Sequence, residues 1–268
     1  MNEDDVRAVE ADLVAHVAAL HRPPNGELHE NDDAVWFLTG GGEPHDNGIL
    51  RASLPEGGVG EAIDRLLSPF RERGLPMMWW FFTGPESVRP EIGAALREAG
   101  LELEADLPAM VLDLADWIPP LPPAGCTTER VRDDVAFDAW ADVIGRAFED
   151  PAFADGRSAR AFRSFGFDVS APFRHYLCRS EGAWVGGSTL SLAGEVAGLA
   201  NIAVIPERRG LGLGAAIASA ALDDARQLGI EVGALSADRL GLPLYEKLGF
   251  RTVGRHLTYV WRPSPEKR

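Results

Sequence analysis

Hydrophobic residues recur along this chain at the spacings of helices and strands, and the two kinds of pattern alternate. Helical periodicity predicts helices over 3–20, 60–73, 90–99, 135–148, 211–228 and 242–248. Short apolar or alternating runs predict strands over 34–39, 48–54, 77–83, 108–114, 175–179, 183–192, 196–205, 231–236 and 252–261. Because helices and strands alternate, we predict an α/β fold with mixed sheets flanked by helices.

A proline-rich segment divides this pattern into two parts. Prolines occupy four of the five positions 119–123, and they favour an extended spacer over a helix. We therefore predict one domain over 1–115, a linker over 116–125 and a second domain over 126–268. A length of 268 residues suits two domains of ordinary size.

The two predicted domains share short sequence matches. Residues 96–101 align without a gap with 245–250, and Leu-Pro-Glu at 54–56 corresponds to Ile-Pro-Glu at 205–207. Each of the latter segments is followed by glycines and a predicted helix. These matches suggest an ancient tandem duplication, which we treat as a hypothesis.

Charge and composition narrow the classes of partner. The formal net charge is −15, which argues against a nucleic-acid backbone and favours a cationic substrate. The N-terminus is acidic, unlike a signal peptide, and no apolar run approaches the roughly 20 residues of a membrane span. We therefore expect a cytoplasmic protein with no membrane partner, and we leave a homodimer open. Cys126 and Cys178 lack the spacing of a zinc site or a disulfide framework, so no metal is expected.

The most informative stretch lies between the strand predicted at 196–205 and the helix predicted at 211–228. Residues 206–215 read Pro-Glu-Arg-Arg-Gly-Leu-Gly-Leu-Gly-Ala. Glycines let main-chain N–H groups approach a ligand closely, and the N-terminus of a helix attracts negative charge. With two arginines adjacent, this loop suits a diphosphate.

Two other nucleotide-binding loops fit less well. A Walker loop requires a lysine followed by serine or threonine after the glycines, and none follows here. Gly210, Gly212 and Ala215, with Asp238 downstream, formally satisfy the dinucleotide fingerprint. However, only about 30 residues follow Asp238, too few to complete a doubly wound sheet.

Two motifs resemble those of a known family. Residues 209–214, Arg-Gly-Leu-Gly-Leu-Gly, match the Arg/Gln-x-x-Gly-x-Gly/Ala signature of the GNAT superfamily of acetyl-coenzyme A-dependent N-acetyltransferases. Residues 244–250, Leu-Tyr-Glu-Lys-Leu-Gly-Phe, are similar to the family's Leu-Tyr-x-x-x-Gly-Phe block and follow at the family's distance. The resemblance covers roughly 127–261 and implies two tandem GNAT-like domains, each a mixed sheet flanked by helices.

The resemblance also implies how coenzyme A binds. In this family the loop amides and a flanking arginine hold the diphosphate, while two parallel strands separate and pair with the pantetheine arm. Such pairing uses main-chain hydrogen bonds, so it depends little on which side chains are present. The positions that match are Ile202, Ala203, Val204, Arg208, Arg209, Gly210, Leu211, Gly212, Leu213, Gly214, Ala215 and Ser236.

Catalytic roles follow from the chemistry of a thioester. A strand amide at 202–204 would stabilise the oxyanion, and Tyr245 is the candidate acid for the departing thiolate. Glu195, or a water chain, would take the proton of the acceptor ammonium. Asp150 and Asp155 are candidates to face a cationic acceptor.

The first half departs from both motifs. Residues 56–61, Glu-Gly-Gly-Val-Gly-Glu, contain no arginine, and Leu96 stands where the second half has Tyr245. We therefore predict a degenerate first domain with a structural or substrate-shaping role. The predicted function is acetyl transfer from acetyl-coenzyme A to the amine of a small, cationic molecule. A non-catalytic acyl-coenzyme A-binding protein and a dinucleotide-dependent oxidoreductase remain as alternatives.

Overall fold

The chain contains two compact units. The computed structural model describes residues 3–21, 26–84, 89–149 and 157–263. The first unit comprises residues 1–109 and 253–268, and the second comprises 110–252. Each unit combines helices with a mixed sheet, which confirms the predicted α/β class.

The first unit builds its sheet from strands in the order β1-β2-β3-β4-β11-β5. Most of its core side chains come from β3, β4 and the helix between them, and Ile49, Phe70 and Trp79 are fully buried. Its elements are α1 (Glu3–His21), β1 (Glu27–Glu30), β2 (Ala34–Leu38), β3 (Asn47–Ala52), α2 (Val59–Arg73), β4 (Met77–Thr83), α3 (Pro90–Glu98), β5 (Glu102–Asp113) and β11 (Arg251–Trp261).

The second unit arranges its strands in the order β5-β10-β9-β8-β7-β6, with residues 110–113 of β5 at one edge. Its core lies largely under α6, an alanine-rich helix that buries one face against the sheet. Its remaining elements are β6 (Cys126–Arg130), α4 (Asp134–Phe148), α5 (Arg157–Arg163), β7 (Phe173–Ser180), β8 (Ala183–Ser191), β9 (Ala197–Val204), α6 (Leu213–Gln227), β10 (Val232–Ser236) and α7 (Leu242–Leu248).

Every helix and strand predicted from the hydrophobic pattern is present, but among the described residues the pattern missed two strands, one α-helix and two 3-10 turns. β1 is a polar, mostly exposed strand, and β6 alternates buried with exposed positions over only five residues. The short helix α5 was also missed. β5 begins at Glu102 instead of 108; its first residues are largely exposed, and the prediction did not use their alternation of charged and apolar residues.

The C-terminal boundary differs from the predicted one. We predicted that 126–268 forms one domain, but residues 253–268 belong to the first unit. The physical reason is that β11 pairs antiparallel with β4 from Arg255–Thr83 to Trp261–Met77. The other boundary lies between Ala109 and Met110, upstream of the predicted linker at 116–125.

The predicted linker is anchored to the second unit by one aromatic side chain. Trp117 donates its indole N–H to the carbonyl of Leu248 at 2.9 Å and packs against the core. The residues that follow, 118–122, have neither helix nor strand, and Ile118 and Leu121 are exposed.

The two units repeat one arrangement of elements. β2-β3-α2-β4-α3 in the first unit corresponds to β8-β9-α6-β10-α7 in the second. In each unit the two central strands are parallel and show only two paired positions, Gly48–Met78 and Ile49–Trp79 in one, Ala197–Gly233 and Gly198–Ala234 in the other. This repetition agrees with the tandem arrangement expected from the sequence.

A buried polar network ties α6 to the sheet of the second unit. Arg174 on β7 donates to the Asp224 carboxylate at 2.8 Å, and the Tyr176 hydroxyl donates to the same oxygen. Burial opposes ionisation of Asp224, but the hydrogen bonds from Tyr176 and Arg174 outweigh it and hold the pKa of Asp224 below its ordinary value. The carboxylate is therefore charged in the folded protein at neutral pH.

We predict that Asp224→Asn lowers the free energy of unfolding by about 2 kcal/mol at pH 7, because Arg174 loses its charged partner. The pKa of Asp224 is depressed on folding, so its contribution is present above the unfolded pKa near 3.9 and is lost as pH falls through the folded value. Urea unfolding at pH 7 and at lower pH would measure this. Asp223→Asn, whose carboxylate bonds to Arg226 and Gln227 of its own helix, is the control and should have little effect. Equal losses in both variants would contradict the prediction.

Candidate active site

The loop between β9 and α6 depends on two glycines with left-handed backbone. Gly210 has a φ of 78° and Gly212 a φ of 77°, a region that side chains with a Cβ rarely adopt. Pro206–Arg208 forms one turn of 3-10 helix before them, and Gly212 is the N-cap of α6 without any side-chain cap. The sequence therefore brings main chain, not side chains, to the start of this helix.

This arrangement leaves a run of donor groups available. No main-chain carbonyl of the described residues accepts from the N–H groups of residues 210–215. Orphan N–H groups at a helix N-terminus carry partial positive charge and bind anions. The loop therefore has the donors for a phosphate group, as its sequence predicted.

The strand that enters this loop separates from its neighbour. β9 and β10 run parallel but pair only at Ala197–Gly233 and Gly198–Ala234, near the start of both strands. Further along β9, Asn201 has a φ of 52°, and the register against β8 shifts between Gly187 and Thr189. Such a bulge bends a strand and interrupts its ladder.

The separated segments contain the predicted cofactor residues. Ile202, Ala203 and Val204 lie on β9 beyond the bulge, and Ser236 is the last residue of β10. In the described structure the paired positions of these strands end at Gly198 and Ala234, so main-chain groups further along can pair with an added chain. The structure thus brings these residues together with the loop at 210–215.

The two arginines of the loop differ in their contacts. Arg209 donates from Nε to the carbonyl of Val204 at 3.0 Å and from Nη2 to the carbonyl of Ala147 at 2.8 Å. Arg208 instead forms a 2.6 Å ion pair with Glu181, whose side chain is largely exposed. Arg209 therefore joins the end of β9 to the last turn of α4, a supporting contact that the sequence did not predict.

Tyr245 lies on α7 with its ring packed in the core of the second unit. It is 7% exposed and meets Phe250 edge-on, with ring centroids 5.8 Å apart. Burial raises the pKa of Tyr245, and the neighbouring Asp238 carboxylate raises it further. The phenol therefore stays protonated at physiological pH, as a proton donor must.

Glu195 lies away from this group. It is exposed in the connection between β8 and β9, before the first residue of β9. Glu195 is six residues before Asn201, and at about 3.3 Å per residue their separation cannot exceed roughly 20 Å. The role of Glu195 as a base stays a prediction, and Asp150 and Asp155 lie outside the described residues.

Sequence reasoning missed a group of polar residues behind the bulge. Asn201, Thr189 and His175 lie on three neighbouring strands and are connected by hydrogen bonds. The only sequence signal was an asparagine in an otherwise apolar strand, a residue that tolerates left-handed backbone. The sequence also missed that Cys126 and Cys178, which are free thiols, have their sulfur atoms 3.2 Å apart.

This geometry can be compared with known proteins. Residues 137–250 match the family described as the acetyltransferase (GNAT) family. The chain carries a GNAT acetyltransferase domain. The matched range includes the loop, the separated strands and Tyr245, and it confirms the predicted family and the class of enzyme, an acyltransferase. The GNAT family uses acetyl-coenzyme A as its donor.

Solved structures resemble the chain over nearly its whole length. A GCN5-related N-acetyltransferase from Kribbella flavida has a TM-score of 0.69 at 18% identity, with 96% of this chain and 97% of that chain covered. A tandem GNAT protein from the clavulanic acid biosynthesis pathway has a TM-score of 0.64 at 15% identity, with 99% of this chain and 97% of that chain covered. A functionally unknown conserved protein from Staphylococcus epidermidis has a TM-score of 0.64 at 13% identity, with 89% of this chain and 95% of that chain covered. These similarities support a fold of two tandem GNAT-like domains.

The chain has no curated match, and its described residues include no candidate membrane span or metal site. No curated protein matches the chain. Among the residues placed by the structure, no helix is long and apolar enough to span a membrane. Over the same ranges, no group of three or more histidine, cysteine, aspartate or glutamate side chains could hold a metal ion.

We predict that Arg209→Ala destabilises the GNAT domain by about 1 to 3 kcal/mol, because two main-chain carbonyls lose a charged donor. Arg208→Ala is the matched control, since an exposed ion pair contributes little to stability. Thermal unfolding of both variants without ligand would measure the difference. A melting temperature for Arg209→Ala equal to that of Arg208→Ala would show that the two contacts do not support the loop.

Proposed function

We propose that the GNAT domain transfers the acetyl group of acetyl-coenzyme A to the amine of a small, cationic molecule by direct attack in a ternary complex. The observation that carries this proposal is the separation of β9 and β10 beside a loop of unpaired N–H groups. A phosphate site and an open strand edge at one end of a sheet suit a ligand with a diphosphate and an amide-bearing arm.

The cofactor's diphosphate would lie on the N–H groups of residues 210–215. The positive end of α6 adds favourable charge there, and Arg208 would add more by exchanging its exposed ion pair with Glu181 for the diphosphate. Arg209 would act mainly by holding the loop, because its guanidinium already bonds to Val204 and Ala147. The pantetheine arm would pair with residues 202–204 of β9 and reach towards Ser236 of β10.

The transfer step is a displacement at the thioester carbon. The amine nitrogen attacks that carbon, the C–N bond forms and the C–S bond breaks. A main-chain N–H at residues 202–204 would stabilise the oxygen of the intermediate. Tyr245 would donate its proton to the departing thiolate, and the amine's proton would pass to water or to a base.

The acceptor is proposed as a small cationic amine because of charge. The net charge of −15 attracts cations, whereas an anionic acceptor would be repelled. Glu195 is the predicted base, but its place at the far end of β9 favours a water chain for this step. The first unit, whose corresponding loop at 56–61 has no arginine and carries Glu61 after its glycines, would have a structural or substrate-shaping role.

The alternative of a non-catalytic acyl-coenzyme A-binding protein uses the same loop and strands. The two functions differ in the role of Tyr245. Acetyl transfer requires its hydroxyl as a proton donor, whereas binding alone does not. The glycine loop lies within the residues that match the GNAT family, so it is explained without a dinucleotide. No other observation favours a dinucleotide-dependent oxidoreductase.

We predict that the protein binds one equivalent of acetyl-coenzyme A and that Leu211→Glu weakens binding at least tenfold. Leu211 is 54% exposed between the two left-handed glycines, so a carboxylate there would repel the diphosphate without burying a charge. Leu228→Glu, at the other end of the same helix and 50% exposed, is the matched control. Isothermal titration calorimetry would measure both variants. No binding by the wild type would overturn the proposal, and two equivalents would show a second site in the first unit.

We predict that Tyr245→Phe lowers kcat about a hundredfold and leaves the affinity for acetyl-coenzyme A nearly unchanged, because the hydroxyl acts only on the departing thiolate. The wild-type kcat should not fall on the alkaline side up to about pH 10, since the pKa of Tyr245 is raised. Steady-state kinetics with ethanolamine, putrescine and spermidine as test acceptors would measure both effects. An unchanged kcat in Tyr245→Phe would remove the tyrosine from the mechanism.

A further inference from the structure

A chain of hydrogen bonds crosses three strands behind the bulge in β9. The Asn201 carboxamide donates from Nδ2 to the Thr189 hydroxyl at 3.1 Å. The same hydroxyl lies 3.0 Å from Nδ1 of His175, its direct partner across the β7–β8 ladder. Thr189 and His175 are buried, and the imidazole is surrounded by the rings of Phe137, Trp140 and Phe162.

The direction of the bond between Asn201 and Thr189 follows from the donors available. An amide NH₂ group can only donate, so the Thr189 oxygen accepts from Asn201. The Thr189 hydroxyl also pairs with Nδ1 of His175, in a bond whose direction is set by the histidine tautomer. The packed rings around the imidazole hold this partner of the threonine hydroxyl in place.

The consequence is a fixed orientation for the Asn201 carboxamide. Its Nδ2 is turned towards Thr189, so Oδ1 faces away from this chain of bonds. Within the described ranges no group donates to Oδ1, and the atom is not buried. The left-handed backbone of Asn201 sets this direction, and the next residue along the chain is Ile202.

We propose that Asn201 binds the acceptor amine, with Oδ1 accepting an N–H of the attacking nitrogen, and that Thr189 and His175 are positioning residues for it. This inference rests on the proposed function and adds to it the group that orients the nucleophile. An amine that attacks a carbonyl still carries N–H bonds, and its lone pair is aimed only when one of them has an acceptor. Leu199, Ala200 and Ile202 offer no side-chain acceptor beside it, so Oδ1 is the group on this strand that can serve.

Four substitutions separate this role from a structural one. Asn201→Gly removes the carboxamide and keeps the left-handed backbone, and Asn201→Asp keeps an oxygen acceptor there. Thr189→Val removes the hydroxyl that orients Asn201, whereas Thr189→Ser keeps it. Ser188→Ala is the matched control, because Ser188 is equally buried on the same strand and its hydroxyl has no partner in the described structure.

We predict that Asn201→Gly raises the KM for the amine roughly tenfold, the change expected when one hydrogen bond is lost. The Kd for acetyl-coenzyme A should stay within about twofold of wild type, since Asn201 does not contact the loop at 210–215. Thr189→Val should raise the same KM, and Thr189→Ser and Ser188→Ala should leave it near the wild-type value. The measurements are steady-state kinetics with the fastest acceptor among ethanolamine, putrescine and spermidine, and calorimetry with acetyl-coenzyme A.

The outcomes distinguish this inference from the proposed function. A wild-type enzyme that transfers acetyl to no test amine and does not hydrolyse acetyl-coenzyme A overturns both. A wild-type enzyme that is active while Asn201→Gly has the KM of Ser188→Ala overturns only the role of Asn201. A large loss of kcat in Asn201→Asp with an unchanged amine KM in Asn201→Gly would show that Asn201 presents a donor to the thioester instead.

Discussion

Main-chain pairing between β9 and β10 stops after two positions, and the candidate active site depends on that limit. Inside a parallel sheet, the N–H and C=O groups of neighbouring strands ordinarily satisfy one another. Where β9 bends away at Asn201, these groups are left for water or a ligand. The same bend directs the chain into the glycine loop, so the open strand edge and the N-terminus of α6 face the same region.

Most of the proposed binding chemistry is supplied by main-chain groups, while side chains hold those groups in place. Gly210 and Gly212 provide the backbone conformation, and Arg209 attaches the loop to the ends of β9 and α4. Asp224 fixes α6 to the sheet through Arg174 and Tyr176. A substitution among these supporting residues would therefore act on ligand binding indirectly, through the geometry of a strand or helix end.

The hydrophobic pattern predicted most helices and strands, and the glycine motif added the loop of the candidate active site. Strong apolar periodicity located β4 and α6, and the glycine spacing identified the loop, because each depends on local residues. β1 and the first half of β5 were missed because they are exposed and held mainly by pairing with distant strands. The Asn201–Thr189–His175 chain could not be predicted, since it needs the register of three strands. Glu195 was proposed from its place before β9, but only the direction of that strand shows which end meets the loop.

The position of β11 has a consequence for biosynthesis. It follows every other described strand in sequence, yet it completes the sheet of the first unit between β4 and β5. Translation at about 5 to 20 residues per second leaves the ribosome-bound N-terminal segment without that strand for several seconds or more. Until β11 emerges, β4 and β5 have open edges where another nascent chain could pair. Folding of the first unit therefore cannot be completed before residues 251–261 have left the ribosome.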